Sequence, residues 1–113
     1  LAVSIGNAHG EYRETPMLDI GRLQEIHAAV SVPLVLHGGS GIPDDQLLLA
    51  FRNGVRKFNL GTEYLKRYYQ AVLDFAQENR DNPDPVKVIH ITEYIQGKLQ
   101  PYVEERLKTL CRF

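Results

Sequence analysis

The sequence predicts an α/β fold in which short buried strands run parallel and alternate with helices. Three runs of mostly apolar residues, at positions 1–6, 33–36 and 55–60, have the near-continuous hydrophobicity of parallel strands that helices cover. Helical apolar spacing fills the intervals and extends beyond the third run. Strands that alternate with helices favour right-handed βαβ units. Three strands are too few for a closed barrel, so we expect half a barrel or a small open sheet.

The first two helices are predicted from the residues at their ends. Asp19 is expected to cap the first helix, and Pro43 with Asp44 to open the second. Gly54 suits the left-handed conformation that commonly follows a helix. The inward positions expected for these helices are Ile20, Leu23, Ile26 and Val30 in the first, and Leu47, Leu48 and Phe51 in the second.

Two more helices are expected in the remainder of the chain. Thr62 is expected to cap the third, and a turn at residues 82–85 separates it from a final helical region that runs to about residue 110. Pro101 is expected to kink or split this last helix, because proline lacks a backbone donor and clashes one turn back. The inward positions expected for the third helix are Leu65, Tyr69, Val72 and either Phe75 or Ala76.

Composition and charge exclude several classes of function. The chain has 113 residues, and its 13 Lys and Arg nearly balance 14 Asp and Glu, so it lacks a field that draws in nucleic acid or anionic lipid. No apolar run approaches the ~18 residues of a membrane span, and the first residues do not resemble a signal peptide. The single cysteine, Cys111, excludes a disulfide framework and fits a reducing compartment. We expect one cytoplasmic domain over residues 1–113 and, because the chain starts inside a strand without Met, a part of a longer protein.

Polar segments rich in glycine follow each of the three strands. They read Gly-Asn-Ala-His-Gly at 6–10, His-Gly-Gly-Ser-Gly at 37–41 and Asn-Leu-Gly-Thr at 59–62. In parallel α/β folds, ligands bind at the carboxyl ends of the strands. We therefore expect the three segments to form one ligand site.

Two histidines are candidate metal ligands. His9 and His37 follow two different strands, and neighbouring strands lie ~4.8 Å apart, so the two side chains are placed to share an ion. Imidazole nitrogen suits zinc, and a catalytic zinc takes three protein ligands and an open position. A structural role at the strand ends is the alternative. His27 and His90 have no such context and are interpreted as ordinary surface or boundary residues.

The glycine loops are suited to binding phosphate. Glycines let backbone N–H groups approach an anion, and the N-terminus of the following helix adds its positive end. The alternative is that these glycines only form tight turns. We expect one anion pocket, formed by the backbone amides of Gly39, Ser40 and Gly61 with the Thr62 hydroxyl.

Competing motifs are tested by their spacing. Residues 37–39 are similar to the oxyanion segment of esterases, but the chain has no G-x-S-x-G nucleophile elbow. A dinucleotide fingerprint that starts at Gly39 would need glycine where Asp44 stands, and no Gly-Lys-Ser/Thr sequence forms a P-loop. Lys57 on the third strand is a candidate for a Schiff base, with a snorkelling or ion-paired side chain as the alternative.

Together, residues 6–12, 33–43 and 55–63 resemble the class II, metal-dependent ketose-bisphosphate aldolases. Within this family they are most similar to the tagatose-bisphosphate and short-chain fructose-bisphosphate branch. The resemblance spans essentially the whole chain, and its His-Gly-Gly-Ser-Gly segment is highly specific. It implies a TIM barrel in which the three strands found here are the sixth, seventh and eighth, with their following helices, so that the chain is the C-terminal part of the barrel.

The resemblance also implies roles by motif match. His9 and His37 take the positions of two of the three zinc-binding histidines, and Asn59 is the expected catalytic residue. A monovalent cation, Na⁺ or K⁺, commonly lies near the first two glycine segments in such enzymes. The third zinc histidine and the catalytic aspartate of the family have no counterpart in this sequence. The positions that match the segments holding dihydroxyacetone phosphate are Gly10, Gly38, Gly39, Ser40, Asn59, Leu60, Gly61 and Thr62.

The implied activity is the reversible, Zn²⁺-dependent aldol cleavage of a ketose 1,6-bisphosphate, fructose or tagatose, to dihydroxyacetone phosphate and glyceraldehyde 3-phosphate, a step of glycolysis and related carbohydrate metabolism. The chain alone is expected to be inactive and to act within a longer, homo-oligomeric enzyme. A sugar phosphate is the expected partner, with no nucleic acid and no membrane. The alternative is a non-catalytic phosphate-binding or assembly fragment that lacks the N-terminal catalytic half.

Overall fold

The computed structural model describes residues 1–110, so Cys111 lies outside the described residues. Strands and helices alternate along this range, and a pair of helices ends it. The elements are β1 (Ala2–Val3), α1 (Ile20–Ala29), β2 (Leu34–Leu36), α2 (Asp44–Arg52), β3 (Val55–Phe58), α3 (Thr62–Glu78) and α4 (Val88–Leu110). By its internal contacts the chain divides into two units, residues 1–63 with the end of α4, and residues 64–108.

The three strands form a parallel sheet in the order β1-β2-β3, which confirms the predicted architecture. Ala2 pairs with Val35, and Val35 pairs on its other side with Lys57. The register shifts within β2, and the shift leaves Arg56 as the extra residue of β3. β1 and β3 end before positions 6 and 60, where the predicted runs end, because the chain there leaves the sheet to form the loops. The parallel order brings the ends of all three strands to one edge.

One hydrophobic core joins the sheet to α1 and α2. Burying a leucine side chain contributes about 1.5–3 kcal/mol, so this core is the main stabiliser of the unit that carries the loops. Most of the predicted inward positions of α1 and α2 face it: Leu23 and Leu47 are fully buried, and Ile20, Ile26, Val30 and Phe51 pack against it partly buried. Leu48 is half-buried and is not among the residues that pack against this core. The largest fully buried side chains are Leu23, Leu34, Leu36, Leu47 and Val55.

The ends of α1 and α2 are formed as predicted. The Asp19 carboxylate accepts the Arg22 N–H at 2.8 Å and so caps α1. Gly54 follows α2 with a φ of +106°. A Cβ atom on Gly54 would stand 2.5 Å from Cγ of His27, so the imidazole lies against this turn. His27 is nevertheless exposed, as is His90.

The unit of residues 64–108 has a small core of its own, formed by Ala71, Ile95 and Leu99. Phe75 is buried as predicted. The inward face predicted for α3 is wrong at Leu65 and Tyr69, which are each 64% exposed. The helix carries two apolar stripes, and the one with the small side chain of Ala71 packs with α4, because a small residue lets two helices approach closely.

α4 continues through Pro101, so the expectation that this proline splits the helix is wrong. A proline inside a helix destabilises the fold by about 3 kcal/mol, whereas each large side chain buried next to it stabilises the fold by about 1.5–3 kcal/mol. Leu99 and Tyr102, on either side of the proline, are both buried. Within residues 1–110, no helix has both the length and the apolar character that crossing a membrane requires.

Candidate functional site

The three loops that leave the sheet at its carboxyl edge enclose one pocket, with a volume of about 140 Å³. The His9 and His37 rings lie there with their centroids 5.4 Å apart and their planes tilted by 47°. The structure thus brings together every predicted site residue except Gly39. The pocket is lined by His9, Gly10, His37, Gly38, Ser40, Asn59, Leu60, Gly61 and Thr62.

Asn59 lies beside His37 in this pocket. Its amide nitrogen is 3.3 Å from Nδ1 and 3.1 Å from Nε2 of the imidazole. A neutral imidazole has one acceptor nitrogen, so the Asn59 amide donates at most one of its two N–H groups to His37. The amide therefore remains available to another acceptor in the pocket.

Gly39 is the exception among the predicted site residues because its backbone is used within the sheet edge. Its N–H donates to the Asn59 carbonyl at 3.2 Å, so this amide is not directed at an anion, contrary to expectation. A Cβ atom on Gly39 would overlap the Phe58 ring, 1.7 Å from Cε2. Glycine here lets the loop after β2 close onto the end of β3.

Ser40 connects the loop after β2 to the start of α3. Its hydroxyl accepts the Glu63 N–H at 3.1 Å, and the residue is 9% exposed. Thr62 was expected to occupy the cap position, but α3 begins at Thr62 itself. The side-chain cap of this helix therefore comes from a neighbouring loop, a relation that sequence-local signals do not show.

Two residues that sequence reasoning assigned no role brace the histidine loops. The Tyr12 hydroxyl accepts the Ala8 N–H at 2.8 Å and donates to the Gly38 carbonyl at 2.9 Å. The Asn7 amide nitrogen donates to the His37 carbonyl at 3.1 Å. Both lie in residues 6–12, one of the segments that carry the family resemblance, but the sequence assigned neither of them a task.

The imidazole pair fits two ligand positions of a zinc site. Zinc–nitrogen bonds are ~2.0–2.1 Å long, and rings with centroids 5.4 Å apart are close enough for their nitrogens to share one ion. Within residues 1–110, no three His, Cys, Asp or Glu side chains form a group that could hold a metal by themselves. The described residues therefore offer two candidate ligands for such an ion and no third.

Lys57, the candidate for a Schiff base, is exposed on β3 and does not line the pocket. It pairs in register with Val35, two residues before His37. The placement gives no support to covalent chemistry at this lysine in the described pocket.

Comparison with known proteins agrees with this arrangement. A sequence model of the class-II fructose-bisphosphate aldolase family matches residues 1–112. The solved YdjI aldolase from Escherichia coli K12 is 33% identical, with a TM-score of 0.71 over 97% of this chain and 38% of that one. A putative fructose-1,6-biphosphate aldolase from Coccidioides immitis is 28% identical, with a TM-score of 0.75 over 96% of this chain and 37% of that one.

A third structure shares the fold at lower identity. It is the fructose-bisphosphate aldolase from Campylobacter jejuni, 21% identical, with a TM-score of 0.72 over 96% of this chain and 39% of that one. The chain thus spans between 37% and 39% of the length of these three solved proteins. Since the family match extends over nearly every residue of the chain, the protein belongs to the class-II fructose-bisphosphate aldolase family.

Proposed function

We propose that this chain supplies the ketose-phosphate side of the active site of a zinc-dependent aldolase, which reversibly cleaves a ketose 1,6-bisphosphate to dihydroxyacetone phosphate and glyceraldehyde 3-phosphate. In this proposal β1, β2 and β3 are the sixth, seventh and eighth strands of a TIM barrel. The observation that carries it is the 5.4 Å approach of two imidazoles in a pocket that also holds Asn59 and the glycine loops.

His9 and His37 would hold the zinc ion. When bound, zinc supplies a Lewis acid that polarises the substrate carbonyl. The third ligand and the proton-transferring carboxylate would come from outside the described residues, within which no complete metal-binding group exists. The chain alone is therefore proposed to bind without turnover.

Asn59 would act on the reacting oxygen. Its amide nitrogen stands about 3 Å from the imidazole nitrogens and has two N–H groups, of which His37 accepts one, so the other is placed to donate to a substrate oxygen beside His37. A preorganised donor at the position where negative charge develops stabilises the transition state. This gives Asn59 its proposed catalytic role.

The loops at residues 38–41 and 59–62 would hold the phosphate. Ser40, Gly61 and Thr62 line the pocket at the start of α3, where backbone N–H groups and the positive end of the helix favour an anion. Gly39 contributes to this loop through its backbone bond to Asn59 and not through a free N–H. A Na⁺ or K⁺ ion near the glycine segments, a cytoplasmic location and a homo-oligomeric enzyme complete the proposal. The choice between fructose and tagatose bisphosphate stays open.

The alternative function is a non-catalytic phosphate-binding or assembly role. It is favoured by one observation, namely that the described residues offer two metal ligands and no third. The two functions differ in whether zinc matters to the binding of a ketose phosphate.

Calorimetric titration of the 113-residue chain separates the two functions. We expect Zn²⁺ to bind the wild type, to be removed by chelator, and to tighten the subsequent binding of dihydroxyacetone phosphate. His37→Ala should abolish the zinc response, whereas His27→Ala, which removes an exposed histidine outside the pocket, should keep it. Phosphate binding that is indifferent to Zn²⁺ and chelator would favour the alternative, and the absence of both responses would contradict both.

A further inference from the structure

The hydroxyl of Tyr12 contacts both histidine loops at once. It accepts a hydrogen bond from the Ala8 N–H at 2.8 Å and donates one to the Gly38 carbonyl at 2.9 Å. Ala8 directly precedes His9, and Gly38 directly follows His37. One side-chain oxygen therefore joins backbone groups next to both imidazoles.

The position of this hydroxyl is fixed by the packing of its ring. Tyr12 is half-buried and packs against the core of the sheet. A Cβ atom on Gly41 would stand 3.4 Å from Cδ2 of the ring, so the loop after β2 also lies close to it. Since the packing holds the ring, the hydroxyl stays in place and fixes the distance between the two backbone groups that it bonds.

The two histidine loops are in contact at Ala8 and Gly38, the residues whose backbone groups the Tyr12 hydroxyl bonds. Gly38 has a φ of +63°, and a Cβ atom there would lie 2.0 Å from the Ala8 carbonyl oxygen. Asn7 ties the same loops a few residues away, because its amide nitrogen donates to the carbonyls of Val3 at 3.2 Å and His37 at 3.1 Å. Backbone on both sides of the contact is thus hydrogen-bonded by side chains from the loop after β1.

We propose that Tyr12 is a positioning residue, assisted by Asn7, whose hydroxyl sets the distance between the imidazoles of His9 and His37. The proposal rests on the proposed function, in which these two imidazoles share one zinc ion. Tyr12 does not line the pocket, so it acts through the loops and not on a ligand. Without its hydroxyl, the Ala8 N–H and the Gly38 carbonyl lose their shared partner while the ring still packs.

The direct test is nuclear magnetic resonance on Tyr12→Phe, which deletes the hydroxyl and keeps the ring. In the wild type we expect nuclear Overhauser contacts between the ring protons of His9 and His37 and slow hydrogen exchange at the Ala8 amide. Both should weaken in Tyr12→Phe, whereas the Ile5 amide, which donates to the Asn7 side chain at 2.8 Å, should remain protected. Tyr94→Phe is the matched control, since it deletes a hydrogen-bonded hydroxyl in the other unit.

The second test uses Co²⁺ alone, whose visible absorption reports on its ligand geometry. If the wild type binds Co²⁺, Tyr12→Phe should weaken the dissociation constant about 5- to 10-fold and alter the spectrum, while Tyr94→Phe should change neither. A wild type that binds no Co²⁺ would count against the proposed function, and the ring contacts and amide exchange would still decide the role of Tyr12.

One outcome for the hydroxyl deletion would overturn the proposal: Tyr12→Phe that keeps the wild-type ring contacts, the wild-type Ala8 exchange and, where Co²⁺ binding is measurable, the wild-type dissociation constant. If Tyr12→Phe does not fold, Asn7→Asp takes its place, because it keeps the acceptor for Ile5 and loses both donated bonds. Because this variant keeps the Tyr12 hydroxyl, it tests only the assistance of Asn7, and the role of Tyr12 is then tested on the wild type: an Ala8 amide that exchanges freely, or no contacts between the His9 and His37 rings, would overturn the proposal.

Discussion

Gly38 lies where the two histidine loops meet, and its backbone leaves no room for a side chain. Its φ is +63°, a conformation that residues other than glycine rarely adopt. A Cβ atom would also overlap the Ala8 carbonyl oxygen at 2.0 Å. Gly10 has the same sign of φ, +91°, but open space around the Cβ position. The two glycines therefore separate the effect of backbone conformation from the effect of contact.

Replacing each of these glycines with alanine should give different losses of stability. Gly10→Ala should lower the free energy of unfolding by about 1 kcal/mol, the cost of a left-handed conformation for an L-residue. Gly38→Ala should cost about 2–4 kcal/mol, because the overlap forces the loops apart in addition. Urea denaturation of both variants measures the difference. Equal losses would show that the loops are not in contact at Gly38.

Residue identity and chain topology predict which residues meet in this site. They do not predict which hydrogen bonds those residues form. His9, His37 and Asn59 could be placed in one pocket because parallel strands bring their carboxyl ends to one edge. The commitment of the Gly39 amide to Asn59 could not be predicted, because it depends on how β2 and β3 are offset across a register shift. The cap that Ser40 gives α3 likewise joins residues far apart in the chain.

At the scale of elements, α1 and α2 follow their sequence patterns and α3 does not. A single apolar stripe with a clear cap defines one face for α1, and the core of the sheet covers it. α3 has exposed apolar residues at 65, 68, 69 and 73 and a second, buried face at 71 and 75 that the partly buried Val72 adjoins, so periodicity alone does not choose between them. Packing against α4 decides which face of α3 is buried, and the buried face is the one with Ala71.

The buried stripe of α3 should carry the stability of its unit. Phe75→Ala removes a buried ring that meets Tyr94 edge-on at 5.3 Å and should cost about 3–5 kcal/mol. Leu65→Ala removes a side chain that is 64% exposed and should change stability by less than about 0.5 kcal/mol. Thermal denaturation of the two variants compares the faces. A larger loss for Leu65→Ala would mean that the predicted inward stripe is the correct one.

Tyr94 gives the contact between α3 and α4 a pH dependence. Its hydroxyl donates to the Glu78 carboxylate at 2.6 Å, and this hydrogen bond raises the pKa of the Tyr94 phenol above 10.0, with Lys98 acting more weakly in the opposite direction. Because the folded state holds the proton more tightly, the resulting stabilisation is complete below pH 10 and is lost as the pH rises through the raised pKa.

Absorbance of tyrosinate at 295 nm measures this shift. The difference between the wild type and Tyr94→Phe should show one phenol that titrates above 10.0. Glu78→Gln removes the charged acceptor and should return that titration towards the usual value. A difference curve with its midpoint at or below the usual value would contradict the hydrogen bond between Tyr94 and Glu78.

At the scale of the whole molecule, the sequence predicts a parallel α/β sheet, and the structure confirms it, with the strands in the order β1-β2-β3. Within residues 1–110 the sheet consists of three strands, so β1 and β3 are its edge strands and each has one edge without a paired strand. Large apolar side chains are exposed as well, including Leu65, Tyr69 and Val88. Unpaired strand edges and exposed apolar faces both favour association with other polypeptide.

The 113-residue chain is therefore expected to self-associate in solution. Sedimentation velocity should show species heavier than the 12.8 kDa monomer at micromolar concentration. Placing a charge on the exposed stripe by Leu65→Glu should shift the distribution towards the monomer, while Lys108→Glu, which only reverses a charge on α4, serves as the control. A wild-type chain that sediments as a 12.8 kDa monomer and unfolds cooperatively would contradict this expectation.

The connection from β1 to α1, residues 4–19, is the longest of the three that leave the carboxyl edge, and it carries His9. Ordering one residue costs about 1–2 kcal/mol of conformational entropy. The entropic cost of ordering the His9 loop is therefore larger than that of the short turns that carry His37 and Asn59. The entropic cost grows with temperature, whereas the few hydrogen bonds that offset it do not. On warming, the loop of His9 should therefore open before the sheet melts, which would make His9 the temperature-sensitive half of the imidazole pair.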